Sequence, residues 1–203
     1  MQQCCIKVLS WYKIKTIMDT KKLIYALLVA CTLFVIPSCS PDDELPEEEE
    51  VITEVIWTLT PQGGGDVVTL TFLDADGDGG NDPVVTGGTL TANTTYDGSI
   101  TLANTIESPA EDITAEIAEE DAEHQFFFSS SVAGVTIAYA DADGNSNPVG
   151  LENTVTTTDA GQGTLGLVLR HEPDKNASGV SDGDITNAGG ETDIEVTFDV
   201  EVQ

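Results

Sequence analysis

Positive charge is the scarcest feature of this sequence. Seven Lys and Arg stand against 36 Asp and Glu, a formal net charge of −29. Five of the seven (Lys7, Lys13, Lys15, Lys21 and Lys22) fall in the first 22 positions. From residue 39 onward only Arg170 and Lys175 face 35 acidic side chains, a net charge of −33. A surface of that sign repels phosphate backbones and anionic head groups, which excludes nucleic acid as a partner. It also leaves little with which to stabilise an anionic transition state. No nucleophile motif, phosphate-cradling loop or metalloprotease helix is present, so the expectation is a protein that is not an enzyme.

Cysteine is almost as scarce. Cys4, Cys5 and Cys31 precede Cys39, and none follows it. Long apolar runs are also missing, apart from Leu23 to Ile36. As a helix that run of 14 residues spans ~21 Å, short for a membrane-spanning segment. It follows Met18-Asp-Thr-Lys-Lys22 and ends in Pro37-Ser38-Cys39-Ser40, the charged–apolar–small order of a secretory signal. Residues 1–38 are therefore expected to be a leader, with the signal peptide starting at Met18; an uncleaved anchor is the alternative. A small residue before a cysteine resembles the lipobox of bacterial lipoproteins, and that resemblance implies Cys39 as the acylated (palmitate-bearing) N-terminus. Removal of the leader would leave Cys39 as the sole cysteine, with no disulfide partner.

Residues 39–50 form an acidic, proline-punctuated tether, Pro41-Asp-Asp-Glu-Leu-Pro-Glu-Glu-Glu-Glu50, able to reach ~35 Å when extended. Its first residues, Ser40-Pro41-Asp42-Asp43-Glu44, resemble the acidic export signal of Bacteroidota lipoproteins. This implies an outer-membrane lipoprotein displayed at the cell surface, with a periplasm-facing orientation as the alternative.

From Val51 onward apolar residues alternate with polar ones: Val55, Trp57 and Leu59; Val68, Leu70 and Phe72; Ile100 and Leu102; Phe126 and Phe128; Leu165, Leu167 and Leu169; and Ile194 to Val202 by twos. Period two, abundant threonine and glycine or asparagine between runs predict an all-β, immunoglobulin-like antiparallel sandwich of about eight or nine strands. One short acidic helix is predicted over Pro109–Glu120. Ser108 would be its N-cap, Pro109 its first residue and Glu111 its capping-box partner.

The domain, 51–203, also carries a duplication signal. Val68–Gly77 and Val135–Gly144 share six of ten residues, and further matches continue through Gly98/Gly163, Asp112-Ile-Thr114/Asp184-Ile-Thr186 and Phe126/Phe198. Repeats of about 51–131 and 132–203 within one sandwich are expected.

Both copies run from a strand into Asp-Ala-Asp-Gly. Asp74, Asp76 and Asp78 occupy positions one, three and five of a calcium loop with Gly79 at six, but position twelve is Val85. Asp141, Asp143, Asn145 and Glu152 occupy positions one, three, five and twelve of the second, where Ser146 stands in place of the turn glycine. Plain acidic turns are one reading; Ca2+ held by short Asp/Asn loops is the other, and calcium is the one candidate cofactor. His124 and His171, flanked by Glu123 and Glu172, would suit zinc if paired, yet nothing in the sequence brings them together. Positions on a polar rim are expected for both.

Six stretches, Glu48–Thr53, Asn93–Gly98, Glu107–Thr114, Glu123–Phe127, Leu169–Pro173 and Gly183–Asp193, make the chain resemble small Bacteroidota lipoproteins that often carry the label "type 1 periplasmic binding fold superfamily protein". The label implies an α/β ligand-binding fold. Period-two patterning and the 165 residues left after the leader argue instead for the sandwich. The expected function is a lipid-anchored, non-catalytic envelope module that binds an unknown protein or glycan partner or serves a structural role. The label implies the alternative, a periplasmic small-molecule or metal carrier.

Overall fold

The computed structural model describes residues 50–77 and 79–203. The expected leader, Cys39, the expected tether up to residue 49 and Asp78 lie outside the described residues. Ten strands are present among those described: β1 (Glu54–Pro61), β2 (Val68–Leu73), β3 (Val84–Thr86), β4 (Gly88–Leu90), β5 (Thr95–Ala103), β6 (His124–Ser130), β7 (Val135–Tyr139), β8 (Glu152–Thr157), β9 (Gly161–His171) and β10 (Glu191–Val202). They form a six-stranded sheet, β3-β2-β1-β5-β8-β7, and a four-stranded sheet, β4-β10-β9-β6. The all-β sandwich is thus as the alternation predicts, and an α/β fold does not apply to these residues.

The alternating faces make the core. Val55, Trp57 and Leu59 of β1 meet Leu165, Leu167 and Leu169 of β9 and Val196, Phe198 and Val200 of β10 in one buried cluster. Trp57 is fully buried, and its ring lies 5.3 Å from Phe128 and 6.4 Å from Phe198. Its indole N–H donates to Asn153 Oδ1 at 3.1 Å, and Asn153 in turn donates to Gly150 O at 3.3 Å. A buried indole N–H without an acceptor would be costly, which accounts for a buried asparagine on β8.

The strand count exceeds the expected eight or nine because of two three-residue strands. β3 pairs antiparallel with β2 in one sheet, and β4 pairs parallel with β10 in the other. The chain changes sheets at Gly87, where a Cβ would meet Asp199 O at 1.7 Å. Only glycine permits that approach, and it turns one run of residues into a corner between layers.

The helix is shorter than predicted. α1 spans Ile113–Glu119, and its N-cap is Asp112, whose side chain accepts from Ala115 N. Glu111 is instead bridged to Asn104 by two backbone hydrogen bonds of 3.1 Å, so the helix starts at Ile113, four residues after the predicted Pro109. Ile113 and Ile117 are buried as the periodicity requires. Thr114 Oγ1 both accepts from Leu102 N and donates to Leu102 O, closing β5 beyond its pairing with β8. In the matching stretch of the second half, Asp184 caps a 3-10 turn at Ile185–Asn187. β2 and β7 share the six-stranded sheet, whereas β5 and β9, also matched by the alignment, lie in different sheets.

Phe127 points to the other side of the four-stranded sheet, where it packs with Val180 and Ala188. The segment after β9, with 3-10 turns at Val180–Asp182 and Ile185–Asn187, therefore covers part of that outer face.

Asn153→Ala should lower stability by about 1–3 kcal/mol, the cost of a buried unsatisfied donor. In a Trp57→Phe background, which has no indole N–H, denaturant unfolding should show a smaller loss. An equal loss in both backgrounds would assign the effect to packing alone.

Candidate functional site

β6 and β9 end in register, and their last rung is His124 opposite His171. Both residues continue the core-facing alternation, after Phe126 in β6 and Leu169 in β9. They are therefore buried, 0% and 8% exposed, rather than set on a polar rim as expected from sequence. The imidazoles stack with centroids 4.7 Å apart and planes 9° apart.

Two carboxylates join them, and neither is a sequence neighbour of a histidine. Glu50, just ahead of β1, places Oε1 3.0 Å from His124 Nε2 with its side chain 7% exposed. Asp193 Oδ2 lies 3.9 Å from the same nitrogen with its side chain 2% exposed. Asp193 reaches this position through a bulge in β10, where the pairing with β9 shifts between Thr192 and Ile194. In unbroken alternation Asp193 would face away from Ile194; the bulge turns it inward. Glu123 and Glu172 are exposed.

His124 Nδ1 lies 3.2 Å from Glu120 O, at the end of α1. A carbonyl only accepts, so the hydrogen-bond pattern assigns a hydrogen to Nδ1. Ligand atoms of Glu50, His124 and His171 all lie within 4.8 Å of one another. A groove of about 340 Å³ opens beside Glu50, lined by Val51, Asn104, Glu111, Ile113, Glu116 and Glu120. Burial, and then the charges of Glu111, Glu50, Glu120 and Asp112, hold the Glu116 carboxyl above the usual glutamate range.

The Asp-Ala-Asp-Gly residues make a different arrangement. Asp74 Oδ1 accepts from Gly77 N at 3.0 Å, and Asp76 accepts from Asn81 N and Nδ2. In the second loop Asp141 accepts from Gly150 N and Glu152 N, and Asp143 accepts from Asn145 N and Asn147 N. Ser146 adopts φ +71° where a glycine would be unstrained, so the turn closes without one. The Asn145 and Glu152 side chains are exposed. Burial raises the Glu152 carboxyl above its usual range, with Asp141 and Asp97 adding to the effect.

Sequence reasoning missed the cation inside the second loop. Lys175 is buried, and its ammonium donates to Asp143 Oδ2 at 3.3 Å, Pro148 O at 3.1 Å and Asp121 O at 2.5 Å. Burial alone would raise the Asp143 carboxyl, but the Asn147 and Asn145 N–H groups and Lys175 outweigh it and hold it below the usual range. Burial also depresses the Lys175 ammonium, against the pull of Asp143, Asp121 and Asp141. With Arg170 donating to Thr192, the one lysine beyond residue 22 is fixed at this loop. Among the described residues, no helix is long and apolar enough to cross a membrane.

Lys175→Met should cost about 3–5 kcal/mol, because it strands a buried carboxylate. Millimolar calcium should recover part of that loss beyond a matched magnesium control, as Asp143 regains a cationic partner. Equal recovery by both ions would reduce the effect to screening.

The carboxyl shifts also set a pH profile. Glu116 and Glu152, raised on folding, oppose the folded state while ionised, so stability should rise as pH falls from neutral through their folded values. Asp143, depressed, contributes stability above its unfolded value that is lost as pH falls through its folded one. Melting temperature should therefore peak at mildly acidic pH. Glu116→Gln with Glu152→Gln should diminish the rise, and an unchanged rise would attribute it to net charge alone.

Comparison with protein-family models, curated proteins and solved structures gives no match to this chain.

Proposed function

We propose that this chain is a lipid-anchored, non-catalytic module of the cell envelope, held through Cys39 and displayed at the surface, where it binds a protein or glycan partner. The observation that supports the binding role is an open apolar edge. β3 is the outer strand of the six-stranded sheet, with Val84 and Val85 exposed at 64% and 44%, and Leu73 opposite Val84 at 38%. On a chain of net charge −33 beyond the leader, an uncharged edge strand is where another strand or an apolar surface can add. Calcium enters as an accessory stabiliser of the Asp74 loop, where Asp76 is exposed. In the second loop the ion would have to displace Lys175 from Asp143.

Fractionation of cells carrying wild type and Cys39→Ala, followed by photo-crosslinking from position 84 or 195, tests this reading. Glu195 lies on an exposed face of β10. The wild type should be membrane-bound and Cys39→Ala released or unprocessed, and crosslinks should form from position 84 and not from 195. A processed, membrane-bound Cys39→Ala protein would overturn the anchor, and equal crosslinking from both positions would overturn the edge as the binding surface.

A further inference from the structure

We propose that Glu50, His124 and His171, with Asp193 beside them, form a site for a divalent transition-metal ion of the zinc class. With Nδ1 hydrogen-bonded to Glu120 O, the neutral His124 ring turns the lone pair of Nε2 towards Glu50 Oε1, 3.0 Å away. Two lone pairs at that distance require a positive particle, either a proton or a metal. The outward half of the arrangement is the one metal-bound histidines commonly have: the second ring nitrogen donates to a backbone carbonyl, which fixes the tautomer and orients the ring.

Three further observations favour the metal over the proton. Glu50 Oε2 is buried with no hydrogen-bond partner, on a side chain 7% exposed. A proton on His124 serves Oε1 and leaves Oε2 as it was, whereas an ion can be held by either or both carboxylate oxygens. The second is charge. Glu50 brings a buried negative charge to His124 Nε2, with Asp193 Oδ2 3.9 Å from the same nitrogen, and a cation placed there meets that charge. The third is donor chemistry, since two imidazoles and two carboxylates suit zinc better than calcium.

The present ligand spread, within 4.8 Å, is wider than the ~3.3 Å between donors that 2.0–2.1 Å bonds give on a tetrahedral ion. Closure by about 1.5 Å is therefore needed, and Glu50 can supply part of it because it precedes the first strand. The acidic groove beside Glu50 gives a cation a route of favourable sign. Binding would clamp the chain ahead of β1 to the end of the four-stranded sheet.

The purified chain, stripped with a chelator, is titrated with zinc and with cobalt(II), followed by calorimetry, cobalt absorption and 15N spectra of the histidine rings. One zinc per chain, intense tetrahedral-type cobalt bands and a zinc-induced change at His124 Nε2 with Nδ1–H retained are expected. Glu50→Gln should weaken binding at least tenfold, and His124→Gln should abolish it. Because His124 is fully buried and its variant can misfold, Glu50→Gln, checked by circular dichroism, carries the decision. Zinc affinity unchanged in Glu50→Gln would assign the ion to the acidic loops. A His124 ring that holds both hydrogens in the presence of excess zinc would make the contact an imidazolium–carboxylate pair. Either result overturns the proposal.

Discussion

Buried negative charge with almost no positive charge to meet it is the constraint on which this structure depends. A carboxylate removed from water needs hydrogen-bond donors, a cation or a proton. The fold supplies donors first. Half-buried Asp74 and Asp141 accept from backbone N–H groups of their own loops, as exposed Asp112 and Asp184 do at helix starts. Their charges thereby become part of the turn geometry, which is why strands here end in Asp-rich segments without mutual repulsion opening them.

Asp143 and Glu50 need more than this. Asp143 takes Lys175, and that single contact joins three segments: the second acidic loop, the turn after α1 and the segment that covers the outer face around Phe127. Glu50 takes His124 at the far end of the histidine rung. The two arrangements sit on the same framework of β6 and β9 but solve the problem with different cations. One is covalently part of the chain. The other is a proton or, as we propose, a metal.

Period two made the strands legible in the sequence, because burial on one face of a sheet leaves its mark at every second residue. Trp57, Leu167 and Phe198 stand where that alternation puts them. Features that break alternation were not legible. The corner at Gly87 is set by the carbonyl of Asp199, 112 residues later in the chain, and the bulge at Asp193 reverses the face that counting by twos assigns. The helix start was misplaced because Ser108-Pro109 has the local chemistry of a cap, while the bridge from Asn104 to Glu111 is a tertiary matter. The histidine cluster is the extreme case: its four members lie in four separate stretches, at Glu50, His124, His171 and Asp193, joined only by strand register and a bulge.

The identity of the charge that balances Glu50 is the point on which the account turns. Diffraction from crystals grown with one equivalent of zinc, measured just above and just below the zinc absorption edge, locates the ion without reference to any variant. The account predicts one anomalous peak between Glu50 and His124 Nε2, with His171 or Asp193 completing the ligand set and Lys175 still at Asp143. A peak confined to the Asp74 or Asp141 loop, or none at all with Glu50 and His124 in direct contact, would contradict it.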